Sequence, residues 1–281
     1  MSFQQPKTLD AAVEILSEGK WHLLSGGTDF YPALGDSQPS GSIMDVSQID
    51  GLRDIQRLGD GSWSIGACVT WTDIIKADLP AAFDGLKLAA REVGSIQIQN
   101  RATLVGNICN ASPAADGMPP LRTLNAVIEI SSKAGKRKLP IEEFVQGNRK
   151  TVLQDDEIVS AIIIPEAAAR GASSFVKLGT RKYLVISISM VASRLELNEE
   201  NKILDAAISV GSCSLVAKRL AVLEADLVGQ ILTDGTHNMV STEHMQELSP
   251  IDDVRASGVY RMDASVELVR RAISNIHKEA E

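Results

Sequence analysis

The sequence predicts an α+β protein of two domains. Apolar residues recur at helical spacing in some segments and alternate or run together in others, and these segments follow no regular strand–helix–strand order. The chain has 281 residues, of which 44% are hydrophobic, so it is long enough to bury a sizeable core and to form more than one domain. A small and flexible stretch at residues 167–174 predicts the domain boundary.

The first predicted elements mix helices and strands. Thr8 or Asp10 is expected to cap a short amphipathic helix over residues 11–16, which Gly19 stops. Thr70 is the expected cap of a second short helix. The elements predicted in this part are a buried strand at 21–24, further strands at 41–46 and 63–67, and helices at 74–76 and 86–93.

The rest of the chain is predicted to begin with an irregular segment. Residues 94–120 are small and polar and show few obvious periodicities. Residues 186–197 fit a strand or a helix by periodicity, and their β-branched residues favour a strand. The other predicted elements are strands at 126–130, 158–165, 173–178 and 203–212, turns at 133–138 and 198–201, and helices at 217–227 and 264–277.

The charge of the chain argues against two classes of partner. The net charge is -8, the pI is about 5.1 and no long basic tract is present, so nucleic acid and anionic membranes are poor partners. A phosphate ligand is still compatible with this charge, because backbone amides bind phosphate without a basic side chain. No run approaches the roughly 20 apolar residues that cross a bilayer, so no membrane insertion is expected.

The cysteines and the N-terminus bear on location. Cys68, Cys109 and Cys213 form no CxxC pair, which argues against zinc or iron–sulfur ligation within this chain, and no metal site is predicted. Cys109 is interpreted as a small buried residue rather than a redox thiol. Free thiols and the lack of a signal-peptide pattern predict a cytoplasmic location.

The first motif that could carry chemistry follows the apolar run at residues 21–24. In Ser25-Gly26-Gly27-Thr28-Asp29, two adjacent glycines let the backbone turn sharply and bring successive N–H groups to one point. Such a nest suits a pyrophosphate, to which Thr28 adds a hydroxyl donor. The same residues also fit an ordinary strand-to-helix turn, and they are not the GxGxxG fingerprint of a Rossmann fold. On the residues alone both interpretations stay open.

The second motif is the stretch 100–116, NRATLVGNICNASPAAD, which shows no helical or strand period. The short side chains of Asn107, Asn110, Ser112 and Asp116 offer both donors and acceptors. A compact loop of this kind can satisfy the polar atoms of a nucleotide. An Ω-like loop that satisfies its own backbone is an equally good interpretation of the composition.

Taken together, GGTD at 26–29 and RATLVGNICNASPAAD at 101–116 closely resemble the FAD-binding (medium) subunit of the molybdenum hydroxylase family, of the xanthine dehydrogenase and carbon monoxide dehydrogenase type. The second motif is long and specific, and the similarity continues at 157–165, 175–178 and 250–261, so it covers nearly the whole chain.

This resemblance implies a fold and its division. It implies a two-subdomain PCMH-type FAD-binding domain at 1–170, with subdomains at about 1–55 and 56–170, followed by a smaller α+β C-terminal domain at 171–281.

The resemblance also implies the cofactor-binding residues. The loop from Leu24 to Phe30 would wrap the FAD pyrophosphate, and Asp116 would bind a hydroxyl of the cofactor through its carboxylate. Lys177 would approach the flavin ring, where positive charge favours the anionic reduced flavin. The full predicted set is Leu24, Ser25, Gly26, Gly27, Thr28, Asp29 and Phe30 at the pyrophosphate; Thr103, Gly106 and Asn107 along the flavin and phosphates; Asn110 and Ser112 supporting the Asp116 loop; Asp116 itself; Val159 and Ser160 at adenine or ribose; and Lys177.

Two positions depart from the family pattern. Val105 stands where relatives usually carry the first glycine of a Gly-Gly pair, and its side chain is expected to push the loop or to narrow the flavin face. The stretch 181–186 lacks an acidic residue that relatives often carry near the flavin, which leaves the electron acceptor open. Tyr183 or Ile186 covers one face of the ring in one interpretation, and belongs to a strand entering the core in the other.

The resemblance implies an electron-transfer role. A large partner subunit would oxidise the substrate at a molybdenum cofactor, a small partner subunit would carry 2Fe-2S clusters, and FAD on this chain would deliver the electrons to NAD, a quinone, oxygen or a carrier protein. The family suggests a heterotrimer, often doubled. No catalytic acid or base is then expected here. A stand-alone FAD-dependent oxidoreductase and a non-catalytic nucleotide-binding module are the alternatives, and turnover without partners would favour the stand-alone enzyme.

Overall fold

The computed structural model describes residues 2–280. Its N-terminal part contains, in chain order, β1 (Phe3–Gln4), α1 (Leu9–Ser17), β2 (His22–Leu24), α2 (Phe30–Leu34), β3 (Ile43–Asp45), β4 (Ile55–Arg57), β5 (Trp63–Gly66), α3 (Trp71–Lys76), α4 (Asp84–Glu92), α5 (Ile96–Gln99), α6 (Leu104–Cys109), α7 (Met118–Thr123), β6 (Val127–Ser132), β7 (Gly135–Pro140), α8 (Ile141–Phe144), β8 (Val145–Gly147), β9 (Lys150–Thr151) and β10 (Ile158–Ile164). The C-terminal part contains β11 (Ala172–Leu178), β12 (Ser189–Leu197), β13 (Ile203–Gly211), β14 (Lys218–Arg219), α9 (Ala221–Leu227) and α10 (Gly258–Ala280). The predicted α+β class is confirmed.

Two larger sheets and the antiparallel hairpin β8–β9 build the N-terminal part. A three-stranded parallel sheet has the order β1-β3-β2, and a five-stranded antiparallel sheet has the order β4-β5-β10-β6-β7. One continuous apolar core serves both sheets, with Met44 from the first, Ile65 and Ile128 from the second, and Trp71 and Phe83 from the helical segments around them. The prediction that these sheets are separate subdomains, with limits near residues 55 and 170, stays a prediction.

A four-stranded antiparallel sheet, β11-β12-β13-β14, builds the C-terminal part. Successive side chains of β12 point to opposite faces, as a strand requires. Met190 and Ala192 pack with Ala89 of α4, while Val191 and Leu195 pack with Ile273 of α10. The sheet therefore lies between α10 and a helix of the N-terminal part.

A buried arginine ties the two parts together. Arg194 on β12 is fully buried, and its Nε donates to the Thr123 carbonyl at 3.0 Å, at the end of α7. Its Nη1 donates to the Arg170 carbonyl at 3.2 Å, and its Nη2 pairs with Asp205. Because each end of the guanidinium finds an oxygen, this charge can be buried at the contact between the parts.

Several local predictions are confirmed. The Thr8 side chain accepts a hydrogen bond from the Ala11 amide and caps α1. Thr70 and Asp73 form a capping box at the start of α3. Strands β12 and β13 pair as the predicted hairpin around the turn at 198–201.

Other predictions are wrong in type. The segment 94–120 contains the helices α5, α6 and α7, which are too short for a periodic pattern to be visible in the sequence. Most of the predicted turn at 133–138 belongs to strand β7, which pairs with β6 at the edge of the sheet. Its lysines and Arg137 are exposed, as charged residues on an edge strand commonly are, so they resemble a turn in the sequence. The strand at 21–24 is half-buried to exposed rather than buried, because one side borders a cavity.

Helix ends also differ. The last helix begins at Gly258, before the predicted residue 264, and α9 begins at Ala221 because Lys218 and Arg219 pair with β13 as strand β14. Within residues 2–280 we find no helix whose length and hydrophobicity would allow it to cross a bilayer.

Candidate functional site

The candidate site is a cavity of about 660 Å³ at the carboxyl end of β2. Its walls are the loop that follows β2, helix α6 and the segment 151–159 that leads into β10. The predicted residues that line it are Leu24, Ser25, Gly26, Gly27, Thr28, Asp29, Phe30, Thr103, Gly106, Asn107, Asn110 and Val159. The structure thus brings most of the predicted set around one cavity, although their role as ligands stays a prediction.

Residues 25–29, which we call the amide loop, carry free backbone donors. Within residues 2–280, none of their five backbone N–H groups donates a hydrogen bond to a protein acceptor. The first backbone amide after residue 25 that does so is that of Tyr31, which donates to the Gly27 carbonyl. Gly27 has φ +72°, a left-handed conformation that turns the chain at this point. Several unpaired amides that border one cavity suit an anion.

Gly26 has a different task from the one its sequence suggests. A Cβ atom on Gly26 would lie 1.9 Å from the carbonyl oxygen of Arg101 and 3.1 Å from the Cα of Ala102. The glycine is therefore required for the close approach of the second motif, whose backbone packs directly on the amide loop. A Cβ on Gly27 would lie 2.7 Å from the ring of Tyr31.

Helix α6 presents the second motif to the cavity. The Thr103 side chain caps the helix by accepting from the Gly106 amide at 3.0 Å. The Asn107 side-chain oxygen accepts from the Gly117 amide at 3.2 Å, which links the cavity wall to the loop that carries Asp116. The side chain of Val105 is buried and lines the cavity.

A chain of three polar side chains crosses from the amide loop to the hairpin β8–β9. Asn110 Nδ2 donates to Asp29 Oδ1 at 3.2 Å, and the guanidinium of Arg149 donates to Asn110 Oδ1. This pattern assigns the orientation of the Asn110 amide. The Arg149 backbone amide also donates to the Ala111 carbonyl at 2.9 Å. Arg149 could not be identified from the sequence, because it is 39 positions from Asn110.

Asp116 and Lys177 lie apart from the cavity lining. Lys177 Nζ is 2.8 Å from Asp116 Oδ2, and Ser187 Oγ donates to Asp116 Oδ1 at 2.9 Å. We call these three residues the ion-pair cluster. Burial raises the pKa of Asp116, against the opposing effects of Lys177 and Ser187. The predicted roles of Asp116 and Lys177 at FAD stay predictions, but in this structure their charged groups contact each other. No motif in the sequence identifies Ser187 as a member of the site.

Two other predicted residues also lie outside the lining. The Ser160 side chain donates to Glu129 Oε1 at 2.9 Å, and the pairing of β10 with β6 is irregular at this residue, between Val159 and Ala161. The Ser112 hydroxyl accepts from the Ala114 amide at 3.2 Å and shapes its own turn. Their predicted contacts with the cofactor remain untested.

The wall facing the polar loops is mainly apolar. The residues of this wall that sequence reasoning missed as site residues include Trp21, Trp71, Ile98, Leu153 and Ile158. Their apolar character is the same as that of core residues, so only their placement in space identifies them. Burial here raises the pKa of the neighbouring Cys109 thiol to about 12. The cavity lining therefore combines unpaired backbone donors with apolar side chains, which fits a dinucleotide.

The loop at 180–186 is open to solvent. Tyr183 is 66% exposed and Ile186 is 53% exposed, so the interpretation that they belong to a core strand is wrong. Neither lines the cavity. Among residues 2–280, no group of His, Cys, Asp and Glu is placed to hold a metal ion.

Two family models match the chain. The model described as FAD binding domain in molybdopterin dehydrogenase matches residues 1–167, and the model described as CO dehydrogenase flavoprotein C-terminal domain matches residues 174–276.

Individual proteins are similar over almost their whole length. The nicotinate dehydrogenase FAD-subunit of Eubacterium barkeri is 28% identical, with 99% of this chain and 93% of that protein covered. The xanthine dehydrogenase FAD-binding subunit of Escherichia coli O157:H7 is 29% identical, with 97% and 94% covered. The solved structure of reconstituted CO dehydrogenase from Oligotropha carboxidovorans has a TM-score of 0.89 at 22% identity, with 99% and 98% covered, which shows a shared fold.

Proposed function

We propose that this chain, which belongs to the family of FAD-binding subunits of molybdenum hydroxylases, holds FAD in the cavity at the end of β2 and relays electrons from partner 2Fe-2S clusters to an external acceptor. Bound FAD supplies the ability to take up electrons singly and to release them as a pair. The chain itself binds and orients the cofactor and performs no substrate acid–base chemistry.

The observation that carries this proposal is the set of unpaired amides in the amide loop. Five consecutive N–H groups without a protein acceptor, in a loop with a left-handed glycine, supply donors for the oxygens of a diphosphate. The apolar wall of Trp21, Leu153 and Ile158 is suited to a flat ring system, and Val159 lies beside it, where adenine or ribose contact is proposed.

The second motif supplies the other side of the site. Thr103 holds the first turn of α6 in place, and Gly106 and Asn107 line the cavity, consistent with the proposed course of the flavin and its phosphates. Asp116 and Lys177 act at the edge of the site in this proposal, through the loop that Asn107 holds at Gly117.

The partners follow from the relatives. The Paenarthrobacter nicotinovorans relative is named as the medium subunit of nicotine 6-hydroxylase, and the Hydrogenophaga pseudoflava relative as the medium chain of carbon monoxide dehydrogenase. We infer a large partner subunit with a molybdenum cofactor and a small partner subunit with 2Fe-2S clusters, and a complex that is a dimer of heterotrimers. Co-purification from the native host, with mass analysis of the complex, tests this inference.

The substitution Gly27→Val tests the FAD site. Its side chain meets the Tyr31 ring and must adopt a left-handed backbone that valine disfavours, so the amide loop loses its shape and FAD is not retained. The measurement is the ratio of FAD to protein after gel filtration. Gly19→Val is the matched control, because a Cβ there meets nothing within 4 Å. Stoichiometric FAD in Gly27→Val would show that the site is wrongly assigned.

A further inference from the structure

The cavity has an unbalanced charge for the ligand proposed above. A diphosphate is an anion, yet the described residues that line the cavity include the carboxylates of Asp29, Asp155 and Glu157 and no lysine or arginine. Glu157 is paired with Arg137 at 2.7 Å, and Asp155 with Lys20 at 2.8 Å. Asp29, in the amide loop itself, has no cation in direct contact in the described part of the chain. The unpaired amides attract a diphosphate, but the carboxylate of Asp29 beside it is repulsive unless a positive charge lies nearby.

Arg149 supplies that charge through one intervening side chain. Its guanidinium donates to Asn110 Oδ1, and the amide on the other side of Asn110 donates to Asp29 at 3.2 Å. A cation bound to the oxygen of an amide polarises the amide and strengthens the hydrogen bonds that its N–H groups donate. Asn110 lines the cavity, so this effect is delivered where the diphosphate is proposed to lie.

The backbone holds Arg149 in this position. Arg149 and Ala111 both have left-handed backbones, with φ of +57° and +48°, and the Arg149 amide donates to the Ala111 carbonyl at 2.9 Å. The tip of the hairpin β8–β9 is thereby fixed against the end of α6. The guanidinium is therefore directed at Asn110 before any ligand arrives.

We propose that Arg149 is a positioning residue for the FAD diphosphate: it orients and polarises Asn110 and offsets the negative charge of Asp29. This inference rests on the proposed function and adds a residue on the hairpin β8–β9 to the site. It also commits the diphosphate to the side of the cavity where the amide loop meets α6.

The test is the dissociation constant of FAD for the full-length chain and four variants, titrated by flavin fluorescence at low and high ionic strength. One of the four, Arg101→Gln, checks a different source of the charge. Arg149→Gln removes the charge, and Arg149→Lys keeps it with a similar backbone preference. Lys150→Gln is the matched control, because Lys150 is the exposed next residue and has no side-chain partner in the described chain. We expect Arg149→Gln to weaken FAD binding roughly tenfold to hundredfold at low salt. Lys150→Gln should change it less than about threefold, and Arg149→Lys should restore most of the affinity.

Salt and thermal stability separate charge from scaffolding. High salt should shrink the difference between the wild type and Arg149→Gln, because it screens the charge. The melting temperature of the FAD-free chain should be the same in both. A lower melting temperature for Arg149→Gln, with no rescue by Arg149→Lys, would assign Arg149 a purely structural role and overturn the proposal.

Two further outcomes would overturn it. Equal affinities for Arg149→Gln and Lys150→Gln would refute the role of Arg149 while leaving the FAD site intact. A larger loss in Arg101→Gln than in Arg149→Gln would move the counter-charge to Arg101, whose backbone packs on Gly26 and whose side chain has no partner in the described chain. Failure of the wild-type chain to bind FAD would instead refute the proposed function, a result distinct from both.

Discussion

The amide loop and the Asp116–Lys177 pair of the ion-pair cluster both consist of residues that the sequence assigned to one cofactor, yet they differ in a basic respect. The amide loop keeps its N–H groups unpaired beside an open cavity. The ion-pair cluster is closed, because the carboxylate of Asp116 is shared between Lys177 and Ser187 and the Lys177 side chain is only 4% exposed. Free donors beside a cavity indicate a ligand site, whereas a satisfied buried pair indicates a contact that holds parts of the chain together.

The position of the cluster supports this difference. Asp116 belongs to the N-terminal part, and Lys177 and Ser187 belong to β11 and the loop after it. Lys177 also donates to the Glu92 carbonyl at the end of α4, at 3.4 Å. The cluster therefore joins the two parts of the molecule, as Arg194 does elsewhere.

Breaking the ion-pair cluster should produce the largest effect. Lys177→Met leaves Asp116 buried without its cation, so the free energy of unfolding should fall by about 3–5 kcal/mol. Urea denaturation measures it, with Lys76→Met at an exposed helix end as the control, for which about 0.5 kcal/mol or less is expected. The double variant Asp116→Asn with Lys177→Met should recover part of the loss. Unchanged stability of Lys177→Met with a large loss of FAD affinity would assign the ion-pair cluster to the ligand site, and the distinction between it and the amide loop would be wrong.

Separating the two motifs at Gly26 should have a smaller effect, confined to the cavity. In Gly26→Ala the new methyl overlaps the Arg101 carbonyl, so the amide loop and α6 must move apart at a cost of about 1–3 kcal/mol. Because this strain lies in the site, FAD affinity should fall roughly tenfold to hundredfold, as a fluorescence titration would show. Gly19→Ala, which adds a methyl in open space, should leave affinity unchanged. Full affinity in Gly26→Ala would mean that the close contact of the loops is not needed for binding.

The reactivity of the Cys109 thiol reports on the apolar wall of the cavity, and this prediction involves the smallest expected effect. Its pKa is raised to about 12, so the neutral thiol dominates below that pH and thiolate forms only as the pH approaches 12. At pH 8 the folded chain should therefore resist iodoacetamide at Cys109, while the denatured chain reacts at all three cysteines. Mass analysis of labelled peptides checks this. Rapid labelling of folded, FAD-free chain at pH 8 would show that the wall is polar and hydrated.

Local signals in the sequence predicted the parts of the fold that depend on near neighbours. The Thr8 and Thr70 caps lie within three residues of the amides they accept from, and the turn at 198–201 joins adjacent strands. Helix α6 escaped prediction because two turns are too short to display a period, although Thr103 before Gly106 was a usable cap signal. The family resemblance supplied most of the residues that line the cavity.

Contacts between distant segments could not be predicted. The sequence suggested that a glycine is required at position 26 so that a ligand can approach closely. The structure shows instead that the backbone of Arg101 packs against Gly26. Asn110 and Asp116 belong to one motif, but Asn110 contacts Asp29 whereas Asp116 pairs with Lys177. No local pattern in the sequence predicts the Asp116–Lys177 pair. Arg149 and Ser187 find their partners only after the chain has folded.

Arg194 determines how the chain responds to being cut. Its guanidinium extends from the C-terminal sheet and donates to the carbonyl of Thr123 in α7 and to the carbonyl of Arg170, between β10 and β11. A protease nick near residue 170 should therefore leave two fragments that elute together, since separating them would remove carbonyl acceptors from Arg194 and uncover Met190 and Ala192. For the same reason, expressing the C-terminal fragment by itself should give aggregated material.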